Sequence, residues 1–317
     1  MGGEQARDMR ESMVETFIQA VEEGVNLAVL VSDSTSTAAI GPFQERYPDR
    51  VVNAGIAEQN LLGIAAGLSL GGIVPVTANA ACFLVSRSNE QLKNDICYSQ
   101  TNVKLVGLNA GVAYGSLGST HHAIDDISIM RGLGSILILA PSDAREAVGV
   151  FRFALSHEGP VYIRMDSTKL PALHDDSYAF QPRRLDLLRE GGDISIFSMG
   201  SVTREAAAAG EELARQGIHA EIVNVPSIRP VDREDIAHRV GRTGRALTVE
   251  EHSVHGGLGA LVCETIAEGG IGATVVRLGF PEGEFAKAGP RAEIRRFYGI
   301  DAVGIVEKAR AMLQGRQ

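Results

Sequence analysis

The sequence predicts an α/β protein built from two parallel-sheet domains. Short apolar runs alternate with longer helical stretches, the pattern of strands covered on both faces. That rhythm stops across residues 169–190, a stretch rich in Pro, Asp and Arg, and then restarts. At about 100–200 residues per domain, a 317-residue chain supports two full cores. The first domain is placed at 8–175 and the second at 190–313.

In chain order, residues 10–23 read as a helix and 27–32 as a strand that ends in polar Asp33. Val51-Val52-Asn53 is a short strand, followed by a helix over 56–70. Gly71-Gly72 punctuates the passage to a strand over 73–77. A helix is expected over 90–98, a strand over 103–108 and then a Gly-rich loop. Residues 135–140 form a strand, and Pro141-Ser142-Asp143 opens a helix with good capping chemistry. Val161 to Arg164 is a strand. Beyond the linker, strands are expected over 194–198, 220–225, 246–250 and 273–277, with helices over 205–216 and 259–268. Ligands of such sheets bind beyond the carboxyl ends of the strands, so the loops after Val31, Val52 and Leu108 are the places to look for chemistry.

A formal net charge of -9 with interspersed signs gives no basic footprint for nucleic acid. Cys82, Cys97 and Cys263 are widely spaced, which fits a reducing cytoplasm and neither a disulfide framework nor a zinc site. From Gln59 to Ser86 no residue is charged, long enough to raise the question of a membrane span. The glycines and small residues within it favour the buried core of a soluble domain. Glu4, Asp8 and Glu11 argue against a signal peptide.

That stretch makes Glu58 conspicuous: a single carboxyl group opens an otherwise charge-free helix. Burying it without a partner costs several kcal/mol or shifts its ionisation, so it wants a nitrogen-bearing partner. The plainer reading is a helix-start acid in the field of the helix dipole.

Gly55-Ile56-Ala57-Glu58-Gln59 resembles the signature of the pyrimidine-binding domain of transketolases and deoxyxylulose-phosphate synthases. Asp33, the loop from Gly115 to His121, Ala140-Pro141-Ser142-Asp143-Ala144 and Glu250-Glu251-His252-Ser253 follow in family order. The likeness runs from about Met9 to Gly279. It implies a pyrimidine-binding domain followed by a transketolase C-terminal domain. The cofactor implied is thiamine diphosphate, with Glu58 hydrogen-bonded to the pyrimidine N1′ so that the cofactor's own amino group can deprotonate its thiazolium carbon. A dry carboxyl group suits that task. Asp33, Ile56 and Phe83 are implied at the cofactor, and His121, Asn109 and Arg164 at the substrate. For His121 a loop histidine bound to backbone or solvent is the alternative, and for Arg164 a structural salt bridge. Asp125 and Asp126 read as helix-start residues. Gly256-Gly257 at a helix start reads as structural more readily than as an anion site.

The family's Mg²⁺ motif, Gly-Asp-Gly with a downstream Asn, is not found. The nearest string, Gly191-Gly192-Asp193, opens the second domain. The resemblance therefore implies that Mg²⁺ and the diphosphate are held by an N-terminal partner subunit, in an α2β2 assembly, with no metal ligand in this chain. The expected activity is two-carbon ketol transfer from a sugar or keto donor. A β subunit of a 2-oxo-acid decarboxylating enzyme and a non-catalytic interaction subunit are the rivals. Three departures bear on the site. Ala80 and Ser86 stand where aromatic residues are usual, leaving Phe83 alone. Leu117 replaces an Asp that contacts substrate, and Asn109 replaces a substrate-facing His.

Overall fold

The computed structural model describes residues 6–315. Seven strands form the first sheet, in the order Ser227–Arg229, Leu137–Leu139, Val161–Arg164, Lys104–Leu108, Val74–Ala80, Leu27–Val31 and Val51–Asn53. The second sheet runs Thr274–Phe280, Arg245–Ser253, Ile194–Ser198, Ala220–Asn224 and Asp186–Arg189. The two parallel sheets expected are present, and each gains an antiparallel strand at one edge, Ser227–Arg229 in the first and Asp186–Arg189 in the second. An antiparallel edge strand needs no crossover helix, so a short piece of connecting chain can close each edge.

Two of these edges tie the domains together. Ser227–Arg229 belongs in sequence to the second domain, yet it pairs with Leu137–Leu139 of the first. Asp186–Arg189 joins the second sheet from within the expected linker, ahead of residue 190. The apolar core is shared as well: Leu61, Leu62 and Ala65 under the first sheet lie in one cluster with Tyr162, Phe197, Val223 and Ile236. The opposite face of the first sheet is covered by helices Met9–Glu22 and Ala144–Ser156, whose Phe17 and Phe151 rings meet edge-on at 5.5 Å. The cap read at Asp143 is present, and Asp8 caps the other helix. Asp8 accepts from the Arg10 N–H at 2.9 Å and Asp143 from the Glu146 N–H at 2.8 Å.

The expected helix over 90–98 begins earlier. Phe83–Arg87 already winds as a wide π-type turn, and Leu92–Tyr98 does so again. Helices Arg233–Thr243, Arg291–Phe297 and Ala302–Leu313 are additional to those expected. The first is dominated by charged residues and buries only Ile236, Val240 and Thr243, which leaves a thin apolar stripe. No described helix is long and apolar enough to cross a membrane. The three cysteines are free thiols, two of them buried.

The linker is fastened by His174. Its Nδ1 lies 3.0 Å from Asp143 of the first domain and its Nε2 lies 2.8 Å from Asp186 of the second sheet, with the Tyr178 ring packed against it at 3.9 Å between centroids. Among the described residues, Glu146, His174 and Asp186 are the one His/carboxylate group compact enough for a metal ion. Their oxygens and nitrogens are already engaged by Ser142, Asn224, Tyr178 and Asp143, so the cluster is complete as an ion-pair clasp. Burial alone would push the imidazolium down, but its hydrogen bonds to Asp143 and Asp186 outweigh that and raise His174 to about 10. A cationic group whose folded value lies above its ordinary 6.5 stabilises fully below about pH 6.5, and that stability is lost as the pH climbs toward about 10. Thermal unfolding followed from pH 6.5 to 10 should therefore fall steeply for the native chain and less steeply for His174→Gln. In urea at pH 6.5, His174→Ala should lower the unfolding free energy by about 3–5 kcal/mol, because it leaves buried carboxylates without their cation.

Candidate active site

A cleft of about 600 Å³ opens beyond the carboxyl ends of Leu27–Val31 and Val74–Ala80. Strand Leu27–Val31 is flanked by the next two strands of the chain, one on each side, so the connections diverge there and leave a crevice. Ser32, Asp33, Ile56, Glu58, Asn79 and Phe83 line it, together with Arg87, Tyr114, Thr120 and His121.

Two asparagines shape its floor. Asn53 Oδ1 accepts from the Asp33 N–H and the Gly55 N–H, both at 3.0 Å, and Gly55 turns the chain at φ +71°. Asn79 Oδ1 accepts from the Ser32 N–H at 2.7 Å and the Ser34 hydroxyl at 3.0 Å. The Ser32 hydroxyl in turn accepts from the Ala57 N–H at 3.3 Å. These bonds lock the loop after the first strand to the turn that starts helix Glu58–Leu70, so Glu58 enters the cleft from the first residue of that helix. Glu58 is 4% exposed.

The partner that Glu58 requires comes from its own chain. Arg87, the first charged residue after the charge-free stretch, donates from Nη1 to Glu58 Oε2 at 2.7 Å. Its guanidinium lies 4.3 Å from the centroid of the Phe83 ring. The acid that the sequence marks as wanting a nitrogen-bearing partner is thus buried and ion-paired within the chain. Sequence reading passed over Arg87, although its spacing of four residues from Phe83 on a helical segment is the signal that places the two side chains together.

Within residues 79–86 Phe83 is the one aromatic ring, but the Gly-rich loop adds others: His121 lies 5.2 Å from Phe83 and 5.6 Å from Tyr114, each pair edge-on. Rings lost from the helical segment are replaced by rings from another strand's loop. The Thr120 hydroxyl lies 2.9 Å from His121 Nδ1. Asn109 does not line the cleft; it stands behind it as a hydrogen-bonding neighbour of Tyr114, whose hydroxyl is raised by burial. Leu117 is exposed on the loop's outer side.

Arg164 is not brought to the site. It is 5% exposed, and its Nε is paired with Asp126 at 3.0 and 3.1 Å. Its Nη2 donates to the carbonyls of Ala123 at 3.1 Å and Glu251 at 2.9 Å. These contacts are those of the structural alternative: strand Val161–Arg164 aims the side chain into the seam between domains. Asp126, expected only to open a helix, is the buried acid that receives both Arg164 and the Tyr162 hydroxyl, the latter at 2.6 Å. The helix start at Gly256-Gly257 is engaged from within the chain. Glu250 itself accepts from the N–H groups of Leu258 at 2.7 Å and Gly259 at 2.8 Å, and a Cβ at Gly257 would collide with its Oε2.

The residues present suit an aminopyrimidine. Glu58 offers an acceptor in the cleft, Phe83 a flat apolar plate, and Asn79 Nδ2 is a buried donor with no partner among the described residues. An unpartnered buried donor costs about 1–3 kcal/mol, so it marks a place for a polar ligand atom.

Comparison with known proteins agrees with this geometry. The family model for the transketolase pyrimidine-binding domain matches residues 5–172, and that for the transketolase C-terminal domain matches 184–305. One subunit of the apulose-4-phosphate transketolase of Actinobacillus succinogenes is 52% identical over 96% of this chain and 98% of its own length. The 1-deoxy-D-xylulose-5-phosphate synthase of Desulforudis audaxviator is 33% identical over 97% of this chain but only 49% of its own. A solved structure described as the inactive β4 tetramer of a split-gene transketolase superposes with a TM-score of 0.87 at 33% identity, covering 98% of this chain and 100% of that one.

If Arg164 serves the seam, Arg164→Lys should lower the urea midpoint of unfolding, by about 3–5 kcal/mol in free energy. The assembled enzyme's KM for a phosphorylated donor should stay within about twofold of native; a KM rise of about tenfold or more without loss of stability would return Arg164 to the substrate.

The pairing of a buried acid with an aromatic plate at a strand-end crevice, the two matching domain models and the near full-length relative converge: the chain belongs to the thiamine-diphosphate-dependent transketolase family, as a subunit of a split, two-component transketolase.

Proposed function

We propose that this subunit supplies the pyrimidine-binding half of the active site, and that an N-terminal partner subunit holds the diphosphate and Mg²⁺ in an α2β2 assembly. The observation that carries the reading is the buried Glu58 carboxyl group beside Phe83, with the free Asn79 amide in the same cleft. When bound, thiamine diphosphate supplies the carbon nucleophile for ketol transfer. Glu58 holds a proton at the ring nitrogen it faces and so sets the ring's tautomer. Phe83 and Ile56 offer apolar surface that orients the ring and keeps water from it. Asp33 lines the same cleft on the cofactor's side, and His121, also in its lining, can contact a donor's carbonyl oxygen.

The proposed reaction moves a two-carbon ketol unit from a ketose phosphate to an aldehyde acceptor in the cytoplasm. The donor proposed is apulose 4-phosphate, the compound in the name of the relative that is 52% identical. Loss of the usual acid at Leu117 and the usual histidine at Asn109 supports a donor other than the ordinary pentose phosphates, since a missing hydrogen-bonding group changes selectivity strongly.

Assayed with its partner, thiamine diphosphate and Mg²⁺, the native chain should turn over apulose 4-phosphate and not pyruvate, and the chain alone should be inactive. Glu58→Ala should reduce kcat by about 10²–10⁴-fold. Unchanged turnover, or preference for pyruvate, would contradict the proposal.

A further inference from the structure

We propose that Arg87 occupies the place of the cofactor's pyrimidine ring in the free site and must be displaced for the ring to bind, so that this residue sets the affinity and rate of cofactor loading. The inference rests on the assignment of Glu58 and Phe83 to the ring.

A guanidinium is planar, cationic and rimmed with N–H donors. Arg87 uses both its donors and its flat face at once: one N–H donates to Glu58 Oε2 at 2.7 Å, and the group lies over the Phe83 ring at 4.3 Å. Those are the two partners that an aminopyrimidine needs, one for its ring nitrogen and one for its face. Two flat groups cannot stack on one ring face at once, so the guanidinium and the cofactor ring compete for Phe83 beside the same acid. The wide turn of Phe83–Arg87 sets the two side chains one above the other. Arg87 is also the only Lys or Arg among the described residues lining the cleft, so no other cation there can take over Glu58.

Its side chain is about half exposed, against 5% for that of Glu58. The guanidinium therefore has an open route to solvent, whereas the acid cannot leave, and a polar ring atom entering the cleft replaces the partner that Glu58 loses. An ion pair with one exposed member is worth at most a modest equilibrium constant. A ligand that binds only the open form has its apparent affinity reduced by the open fraction. The plug thus weakens loading without preventing it, and it keeps a buried carboxyl group partnered whenever the ring is absent.

Isothermal titration of thiamine diphosphate, with Mg²⁺, into the native chain assembled with its partner provides the test, with stopped-flow association rates alongside. Arg87→Met removes the N–H donors and the charge while keeping an unbranched side chain. It should bind the cofactor about 3- to 10-fold more tightly and associate faster. An unchanged or weakened affinity would overturn the proposal, because Arg87 would then be a bystander or a ligand of the bound cofactor. Should Arg87→Met fail to assemble, Arg87→Lys decides in the same sense: it keeps the charge, loses the flat stack, and should tighten binding by a smaller factor. Glu58→Gln is the separate control. If it leaves cofactor affinity unchanged, the assignment of Glu58 to the ring fails, whatever the Arg87 variants do.

Discussion

Arg164 stands where the two domains and the active-site loop meet. Its guanidinium is paired with Asp126, holds the carbonyl of Ala123 just beyond His121, and holds the carbonyl of Glu251 in the second sheet. Burial would lower its ionisation, but the carboxylate beside it more than restores it, so the charge persists inside the protein. A buried cation held by a carboxylate and two carbonyls tolerates little displacement of its acceptors. That is why the Gly-rich loop, which has few side chains of its own to anchor it, can present Tyr114 and His121 to the cleft at fixed distances.

The same seam is closed from the other side by a second set of buried charges. Arg291 pairs with Asp166 at 2.6 Å and with Glu251 at 2.5 Å, and Arg295 reaches Glu251 at 3.1 Å. Two arginines hold Glu251 well below the usual carboxylate range despite its burial. Glu251 therefore serves both domains at once, its carboxylate bound to helix Arg291–Phe297 and its carbonyl to Arg164. With the edge strand Ser227–Arg229 and the His174 clasp, these contacts make the two domains a single support for one cleft, although each domain has its own sheet.

The cleft shows how a buried acid is compensated from within the chain. Glu58 is buried by the fold whether or not a ligand is there, because the hydrogen bonds of Asn53, Asn79 and Ser32 set the helix start. A buried carboxyl group needs compensation at all times. Arg87 provides it from the surface, where a long flexible side chain can come and go.

Local patterns in the chain carried the alternation of strands and helices, the two-domain division, the helix cap at Asp143 and the lone acid Glu58: strand-length apolar runs, capping chemistry, and a single carboxyl group opening a charge-free helix. The family resemblance added Asp33, Ile56, Phe83 and His121. The remainder was settled in three dimensions. Arg164 could equally have faced the cleft or the seam, since strand alternation gives a side but not what lies on it. Tyr114 and Phe83 come from segments some thirty residues apart and come to line one cleft only after the sheet has formed. Arg87 was written four residues from Phe83 and still unreadable as the partner of Glu58, because ion pairs form through space and nothing in a linear chain records which buried acid a surface cation will find.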